Sequence, residues 1–309
     1  MTDIPPIARG VFAAALTPLD VNLDPDHGAL ARHCRWLLDS GCDGLAVLGT
    51  TGEANSFGVN ERIGLLDAII DSGIPPATLL PGTGCSAIPD TVSLTRHAVE
   101  AGCAGVVMLP PFYYKGVSDD GLYAAYSEII QRVGDERLRI YLYHFPKMSQ
   151  TPLGLDLIER LINVYPDTIV GMKDSSGDLD NMVAAAKNFP GFAVFAGSDS
   201  LLLPVLEAGG AGCITACANI ACHLARQVMD EFESGADVAT HGALDAMRKA
   251  IEVFPLSAAL KEIMADHTGD AAWRRVRPPL MPLSVNQVAD LKARLAGAGA
   301  TLPSLPVAA

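Results

Sequence analysis

Thr168-Ile169-Val170-Gly171-Met172-Lys173-Asp174-Ser175-Ser176-Gly177 passes from an unbroken apolar run into a lysine and then into small polar residues. A short apolar run bounded by turn residues reads as a strand covered on both faces, the kind a parallel sheet requires. A lysine is rarely buried unless it is paired or working. Removal from water disfavours the charged form of such a group, and a free amine on a rigid strand end can attack a carbonyl and form a Schiff base. Of the seven lysines (115, 147, 173, 187, 249, 261 and 292), only Lys173 ends an apolar strand. Lys187, Lys249, Lys261 and Lys292 fall on predicted helices, where solvated faces are expected. Lys115 and Lys147 follow strand ends and could reach a substrate.

The same design recurs along the chain. Gly10–Pro18, Gly44–Gly49, Ala77–Gly84, Gly105–Pro111, Ile140–Pro146, Ile169–Ser175, Phe192–Asp199 and Gly210–Cys217 are eight apolar runs, each followed by a helical pattern such as Ala29–Leu38. Asp24, Asn60, Asp90 and Ser118 stand where helix caps are expected. Eight βα units in order predict an α/β fold of the (β/α)8, or TIM-barrel, type rather than an open doubly wound sheet. No G-x-G-x-x-G follows the first run, and Gly82-Thr83-Gly84 reads as a tight turn. Past residue 225 the strand signals stop. Helices are predicted at Ala239–Phe254, Ser257–Asp266 and Val285–Ala296, with a proline-rich connector, Arg277–Leu283. The expected division is a catalytic barrel over 1–225 and a helical extension over 226–309, packed on the barrel and ending in a frayed Pro/Ala tail.

Composition narrows the function. With 50% hydrophobic and 18% charged residues in 309, the chain can bury a large core. A net charge of −13 without a Lys/Arg-rich run opposes a nucleic-acid partner, and 6% aromatics oppose a base-stacking surface. An anionic small substrate stays open, since a few local donors can dominate a pocket. Seven cysteines, odd in number and without a C-x-x-C pair, oppose a disulfide framework or a zinc ribbon. Cys213, Cys217 and Cys222 read as small core residues. No H-x-x-H or H-E-x-x-H arrangement points to a metal. The start, Met1 to Pro6, lacks the basic-then-apolar order of a secretory leader, and no apolar stretch reaches the roughly 18 residues of a membrane span. A cytoplasmic protein is expected, with no membrane partner.

In a βα barrel the chemistry sits at the C-terminal strand ends. The second run ends in Gly49-Thr50-Thr51-Gly52-Glu53, where two hydroxyls and exposed N–H groups can cradle a carboxylate or a phosphate; a tight turn with capping threonines fits equally well. Tyr141, Tyr143 and Phe145 alternate, so one face of that strand points inward. A phenol near an amine can move protons, or it can pack in a core with its hydroxyl satisfied. His144 is turned to the opposite face by the same alternation and reads as a packed, hydrogen-bonded histidine. His33, His97 and His223 fall in helical patterns as surface or packing residues. Ser175, Ser198, Asp199, Ser200 and Thr215 are further polar residues at these strand ends, where each could simply cap a helix.

As a set, these motifs resemble the dihydrodipicolinate synthase / N-acetylneuraminate lyase family of class I aldolases. Gly49–Glu53 matches its carboxylate-binding motif, Tyr143-His144-Phe145-Pro146 its Tyr-x-x-Pro element, and Gly171-Met172-Lys173-Asp174 its Schiff-base element. Phe112-Tyr113-Tyr114 with Gly121-Leu122-Tyr123 resembles its aromatic loop, and Gly197-Ser198-Asp199 and Gly212-Cys213-Ile214-Thr215 resemble the ends of its last two strands. The match covers about residues 8–285. The resemblance implies a (β/α)8 homo-oligomer, tetramer or dimer, acting on pyruvate or another 2-keto acid and an aldehyde, with no cofactor beyond a covalent imine. It implies that Lys173 forms the imine and Tyr143 moves protons. Thr50 would link Tyr143 to Tyr114, the latter lent by a neighbouring subunit. Thr51, with the N–H groups of its turn including Gly49, would hold the carboxylate, and Gly197 and Ile214 would line the pocket.

One position departs from the pattern. The lysine-pathway synthases carry an arginine two residues after the proline of the Tyr-x-x-Pro element; here it is Met148. A thioether cannot make a bidentate pair with a carboxylate, and Lys147 would offer only a point charge. The resemblance, with Met148 in that place, therefore implies a Schiff-base lyase that cleaves or makes a 2-keto-3-deoxy sugar acid, whose hydroxylated chain Ser175, Ser198, Asp199, Ser200 and Thr215 could hydrogen-bond. Dihydrodipicolinate synthase is the runner-up, followed by a dehydratase using the same imine. Outside that class stand a phosphate-binding isomerase, for which Gly209–Gly212 lies at the wrong end of the eighth strand, and a non-catalytic keto-acid-binding barrel.

Overall fold

The computed structural model describes residues 4–304. The leader reading at residues 1–3 and the end of the Pro/Ala tail, 305–309, lie outside the described residues. Seven parallel strands, β1 (Gly10–Ala13), β2 (Gly44–Leu45), β3 (Val106–Met108), β4 (Ile140–His144), β5 (Ile169–Asp174), β6 (Ala193–Ala196) and β7 (Gly212–Thr215), run in the order β2-β1-β7-β6-β5-β4-β3. The third expected strand, Ala77–Gly84, does not form a ladder. Its start is a 3-10 turn at Pro76–Thr78, and Pro81 has no N–H to donate. It still occupies the gap. Leu79 bridges Leu45 and Gly82 bridges Val107, with Leu80 N and Gly82 N donating to β2 and Val47 (both 2.8 Å) and Val107 N donating to Pro81 O (3.0 Å). That segment joins β2 to β3 and closes the barrel.

Among the described residues twelve helices accompany it: α1 (His27–Asp39), α2 (Val59–Asp71), α3 (Ile88–Glu100), α4 (Asp119–Val133), α5 (Pro146–Ser149), α6 (Leu155–Val164), α7 (Leu179–Asn188), α8 (Leu202–Glu207), α9 (Ala218–Glu233), α10 (His241–Ile251), α11 (Leu256–Thr268) and α12 (Val285–Gly297). Ser118 caps α4 as expected, accepting from Gly121 N at 3.2 Å. The cap of α1 is Asp26 rather than Asp24, and Gly58 precedes α2, whose Glu61 side chain accepts from Gly58 N at 2.8 Å. Asn60 and Asp90 sit inside their helices. Residue 225 falls within α9, and α10 to α12 match the predicted C-terminal helices closely.

Two apolar layers follow from strand alternation. Phe12, Tyr141, Tyr143, Val170, Phe195 and Ile214 face the barrel interior, while the other side of each strand packs under the helices. Phe195 stacks edge-on against both Phe12 (5.7 Å) and Tyr141 (5.8 Å). Tyr141 Oη accepts from Ala8 N at 2.6 Å, which plugs the N-terminal end. Gly171 is the price of that filling: a Cβ there would lie 2.5 Å from Ala193 O and 2.7 Å from the Tyr141 ring. Among the described residues no helix is long and apolar enough to cross a membrane.

Behind the mouth of the barrel, Asn219 ties β1 to α9. Its Oδ1 accepts from Leu16 N (3.0 Å) and its Nδ2 donates to Ala14 O and Ala216 O (both 2.8 Å). His33 Nε2 meets the same Oδ1 at 2.9 Å, so that nitrogen carries the proton. Burial lowers the His33 pKa to about 4, against the opposing pull of Asn219. His33 is thus neutral in the folded chain while its unfolded counterpart, near pH 6.5, takes up a proton. The unfolded state binds more protons between those values, so this stability is full above pH 6.5 and is lost as pH falls toward 4. The loss is roughly 3 kcal/mol. A His33→Gln variant, which keeps a donor for Asn219, is expected to show a shallower fall in urea midpoint between pH 7 and pH 4.5 than the wild type; equal slopes would refute the assignment.

Candidate active site

Lys173 and Tyr143 are register partners on β5 and β4. The register slips between Ile140 and Tyr141, so β5 spends one extra residue at its start; Gly171 and Lys173 then face inward opposite Tyr141 and Tyr143. Lys173 is only 5% exposed, and its Nζ stands 4.4 Å over the centroid of the Tyr143 ring. That ring in turn stacks on Phe145 at 5.6 Å. No carboxylate among the described residues pairs with Lys173. Its neighbour Asp174 faces the helices, where it accepts from Ser176 N (2.8 Å), Ser176 Oγ (2.5 Å) and Asn181 Nδ2 (2.7 Å). His144 also faces outward: Nδ1 accepts from Leu153 N at 3.1 Å. Burial lowers its pKa against the nearby Asp174 and Asp178 charges. It is the packed histidine that alternation predicts.

The turn after β2 has a different character. Leu48 (φ 58°) and Glu53 (φ 59°) are left-handed non-glycines on either side of Gly49-Thr50-Thr51-Gly52, a conformation that costs about 1–3 kcal/mol at each position. The carbonyls of the turn are all engaged. Thr17 Oγ1 donates to Gly52 O (2.8 Å), Ser257 Oγ to Thr51 O (3.0 Å), Glu53 N to Thr50 O and Ala54 N to Gly49 O (both 3.1 Å). The N–H groups of Gly49 to Gly52 donate to no acceptor among the described residues. Carbonyls turned away and amides left free give this turn the donor set that an anion cradle would need. Gly49, Thr50 and Tyr143 line one small cavity, so the cradle and the phenol share a space.

Arg62 lines that cavity too, and nothing in the sequence singles it out. It is 3% exposed, donates to Gly82 O (2.7 Å) and Cys85 Sγ (3.1 Å), and leaves Nε unbonded. Lys261 corrects an expectation: its ammonium is fully buried against Glu53, not solvated. The partners are 208 residues apart in the chain, and no local pattern joins them. Lys187, Lys249 and Lys292 are exposed as expected.

Other expected site residues are dispersed. Tyr114 is 72% exposed and packs edge-on against Tyr113 at 5.4 Å, away from Lys173. Met148 is 60% exposed on α5. Asp199 is fully buried; Thr215 Oγ1 donates to its Oδ1 at 2.7 Å, while Oδ2 has no hydrogen-bond partner among the described residues and Arg248 lies 3.9 Å from it. Burial pushes the Asp199 carboxyl up, opposed by Arg248 and Thr215. Ser175 and Ser198 are half-buried at the mouth. Gly197 leaves no room for a side chain, since a Cβ would lie 2.5 Å from the backbone carbonyl of Asp174. Ile214 faces the barrel interior. Lys115 Nζ donates to Ser149 O at 2.9 Å, and the exposed Lys147 reaches over Gly177.

An amine held out of water without a counter-ion is suited to attack a carbonyl, and at a strand end of a parallel barrel it marks a lyase of the class I aldolase type. The chain belongs to the dihydrodipicolinate synthetase family, whose model matches residues 7–298. It is 36% identical over 287 residues to an uncharacterized DapA-like lyase of Chloroflexus aurantiacus, covering 92% of this chain and 95% of that one. It is 32% identical to the 4-hydroxy-tetrahydrodipicolinate synthase of Desulforamulus reducens over 226 residues, 73% and 75% of the two chains. Among solved structures, YagE of E. coli K12, a prophage protein of the dihydrodipicolinic acid synthase family, superposes with a TM-score of 0.87 at 27% identity, covering 96% and 100%. Dihydrodipicolinate synthase of Agrobacterium tumefaciens gives 0.84 at 30% identity, covering 93% and 98%.

The two glycines of the cradle differ in what they face. A Cβ on Gly49 meets nothing within 4 Å, whereas one on Gly52 would sit 2.7 Å from Ala15 O. Gly49→Ala is expected to melt with the wild type, and Gly52→Ala to lose about 1–3 kcal/mol, a few degrees in Tm. Thermal melts of the two variants side by side check the geometry; equal losses would contradict it.

Proposed function

We propose that this protein joins Lys173 to the keto carbon of pyruvate or another 2-keto acid and uses the imine to cleave or make a 2-keto-3-deoxy sugar acid. The buried amine over the Tyr143 ring carries this reading. Nζ adds to the carbonyl, and loss of water leaves a protonated imine. That cation is an electron sink, so removal of the adjacent proton gives an enamine. The enamine adds to an aldehyde, and water then releases the product and restores the amine. Run backward, the same steps split a 2-keto-3-deoxy acid into pyruvate and an aldehyde. Tyr143 is positioned to move the protons, with Thr50 beside it. Thr51 and the free N–H groups from Gly49 to Gly52 hold the carboxylate. No metal or cofactor takes part in this scheme.

The complex of YagE with pyruvate supports the choice of a 2-keto acid. Met148, at the position of the arginine expected in lysine-pathway synthases, favours a hydroxylated aldehyde over one bearing a carboxylate. Relatives named 4-hydroxy-tetrahydrodipicolinate synthase keep that reaction as the second reading. We place the enzyme in the cytoplasm as a homo-oligomer, tetramer or dimer, in which the exposed Tyr114 reaches a neighbouring subunit's site.

Pyruvate with borohydride is expected to add a reduced three-carbon adduct to Lys173, seen by peptide mass, and to add nothing in Lys173→Ala. Tyr143→Phe keeps the ring beneath the amine and is expected to lower turnover by about 10²–10⁴. In a panel read by pyruvate release, 2-keto-3-deoxy sugar acids are expected to be consumed, while pyruvate with aspartate semialdehyde is not. An unmodified Lys173 ends the Schiff-base reading, and preference for the semialdehyde moves it to the synthase.

A further inference from the structure

The turn that carries Thr50 and Thr51 is held from outside the barrel. The Glu53 carboxylate receives Lys261 Nζ on Oε1 and Arg277 N on Oε2, the latter at 2.9 Å. Both side chains of the ion pair are 0% exposed. Lys261 Nζ also donates to Arg275 O (2.7 Å), Ser257 Oγ to Thr51 O (3.0 Å), and Arg277 Nη1 to Ser56 O (2.8 Å). All of these donors lie between residues 257 and 277, on α11 and the segment after it. None is needed to close the barrel, whose ladder runs through other residues.

A buried ion pair is a weak way to add stability, because desolvation offsets much of the attraction and an apolar pair of the same shape often serves as well. What it supplies is fixed geometry. Here it grips one of the two left-handed residues that bracket the turn, and Ser257 engages the carbonyl of Thr51 itself, whose N–H is left without an acceptor among the described residues. We propose that Glu53, Lys261 and Ser257 are positioning residues: α11 sets the attitude of the Thr50-Thr51 turn, and so the C-terminal helices take part in substrate binding. This rests on reading the turn as the holder of the substrate carboxylate. Helix α11 fixes the donors before the ligand arrives, and a misplacement of about 1 Å at such a site can cost as much as a hundredfold.

The test measures how trapping at Lys173 depends on pyruvate concentration, alongside the thermal midpoint. Lys261→Met paired with Glu53→Gln removes both charges at similar volume, and Ser257→Ala removes one hydroxyl from a half-buried site. Arg274→Gln is the control: Arg274 binds Glu262 and Asp266 in the same extension, both at 2.8 Å, without touching the turn. The double variant and Ser257→Ala are expected to need on the order of tenfold more pyruvate for half-maximal trapping. Adduct at saturation should stay near the wild-type level, and Ser257→Thr should restore the wild-type curve. Arg274→Gln should lower only the midpoint. Should the double variant fail to fold, Ser257→Ala decides alone. Wild-type half-saturation in a folded Ser257→Ala or double variant overturns the positioning role while leaving the imine intact. A wild type that traps no pyruvate removes the Schiff-base reading and this inference together.

Discussion

The pairing of Tyr143 with Lys173 across β4 and β5 is the constraint on which the site depends. Side chains on a strand alternate, so a shift of one residue would send Lys173 under the helices and bring Asp174 into the barrel. The slip at Ile140/Tyr141 sets the phase, and Gly171 allows it by leaving room for the Tyr141 ring. With the phase fixed, the outward residues find partners among the helices. Asp174 takes Ser176 and Asn181, and His144 takes the Leu153 N–H. The inward amine is left with an aromatic face beneath it and no acid beside it.

The two halves of the site are held by different physics. The amine and the phenol stand on strands packed on both sides, where rotamers are locked by the interior stack of Phe12, Phe195 and Tyr141. The cradle stands on a turn with two left-handed non-glycines, which would relax if nothing opposed it. Long-range bonds from Thr17, Ser257 and Lys261 oppose it. The helical extension is thereby joined to the barrel at this turn, whose own N–H groups have no acceptor among the described residues.

Local chemistry made much of this readable in advance. Apolar runs of strand length gave the barrel, and the motifs at their ends located Lys173, Tyr143 and the Gly49–Gly52 turn. Ladder formation in the third run was not readable, because apolar content does not reveal that Pro81 breaks the donor pattern while the backbone still fills the gap. Asp199 and Thr215 look like free polar groups at strand ends; only the fold shows Arg248 arriving from α10 and the two side chains bonding each other. Lys261 has the sequence surroundings of a solvated helix face and is buried because Glu53 waits beneath it. Arg62 gave no signal at all, since a lone arginine in an amphipathic helix is ordinarily at the surface.

A chain of net charge −13 that is to bind a carboxylate must keep its own acids away from the binding place. Among the described residues four carboxylates are buried, Glu53, Asp174, Asp199 and Glu262. Glu53 is bound by Lys261, Asp174 by Ser176 and Asn181, Asp199 by Thr215 with Arg248 beyond, and Glu262 by Arg274. None of them pairs with Lys173 or Arg62, the two buried basic side chains at the mouth. The remaining acids lie toward solvent, where charges more than about 8 Å apart are largely screened at physiological ionic strength. Inside the barrel screening is weak, so the buried Arg62 guanidinium, with no carboxylate beside it, makes the interior receptive to an anion. The acidic surface and the basic interior are therefore compatible, and the same separation leaves Lys173 without a carboxylate partner.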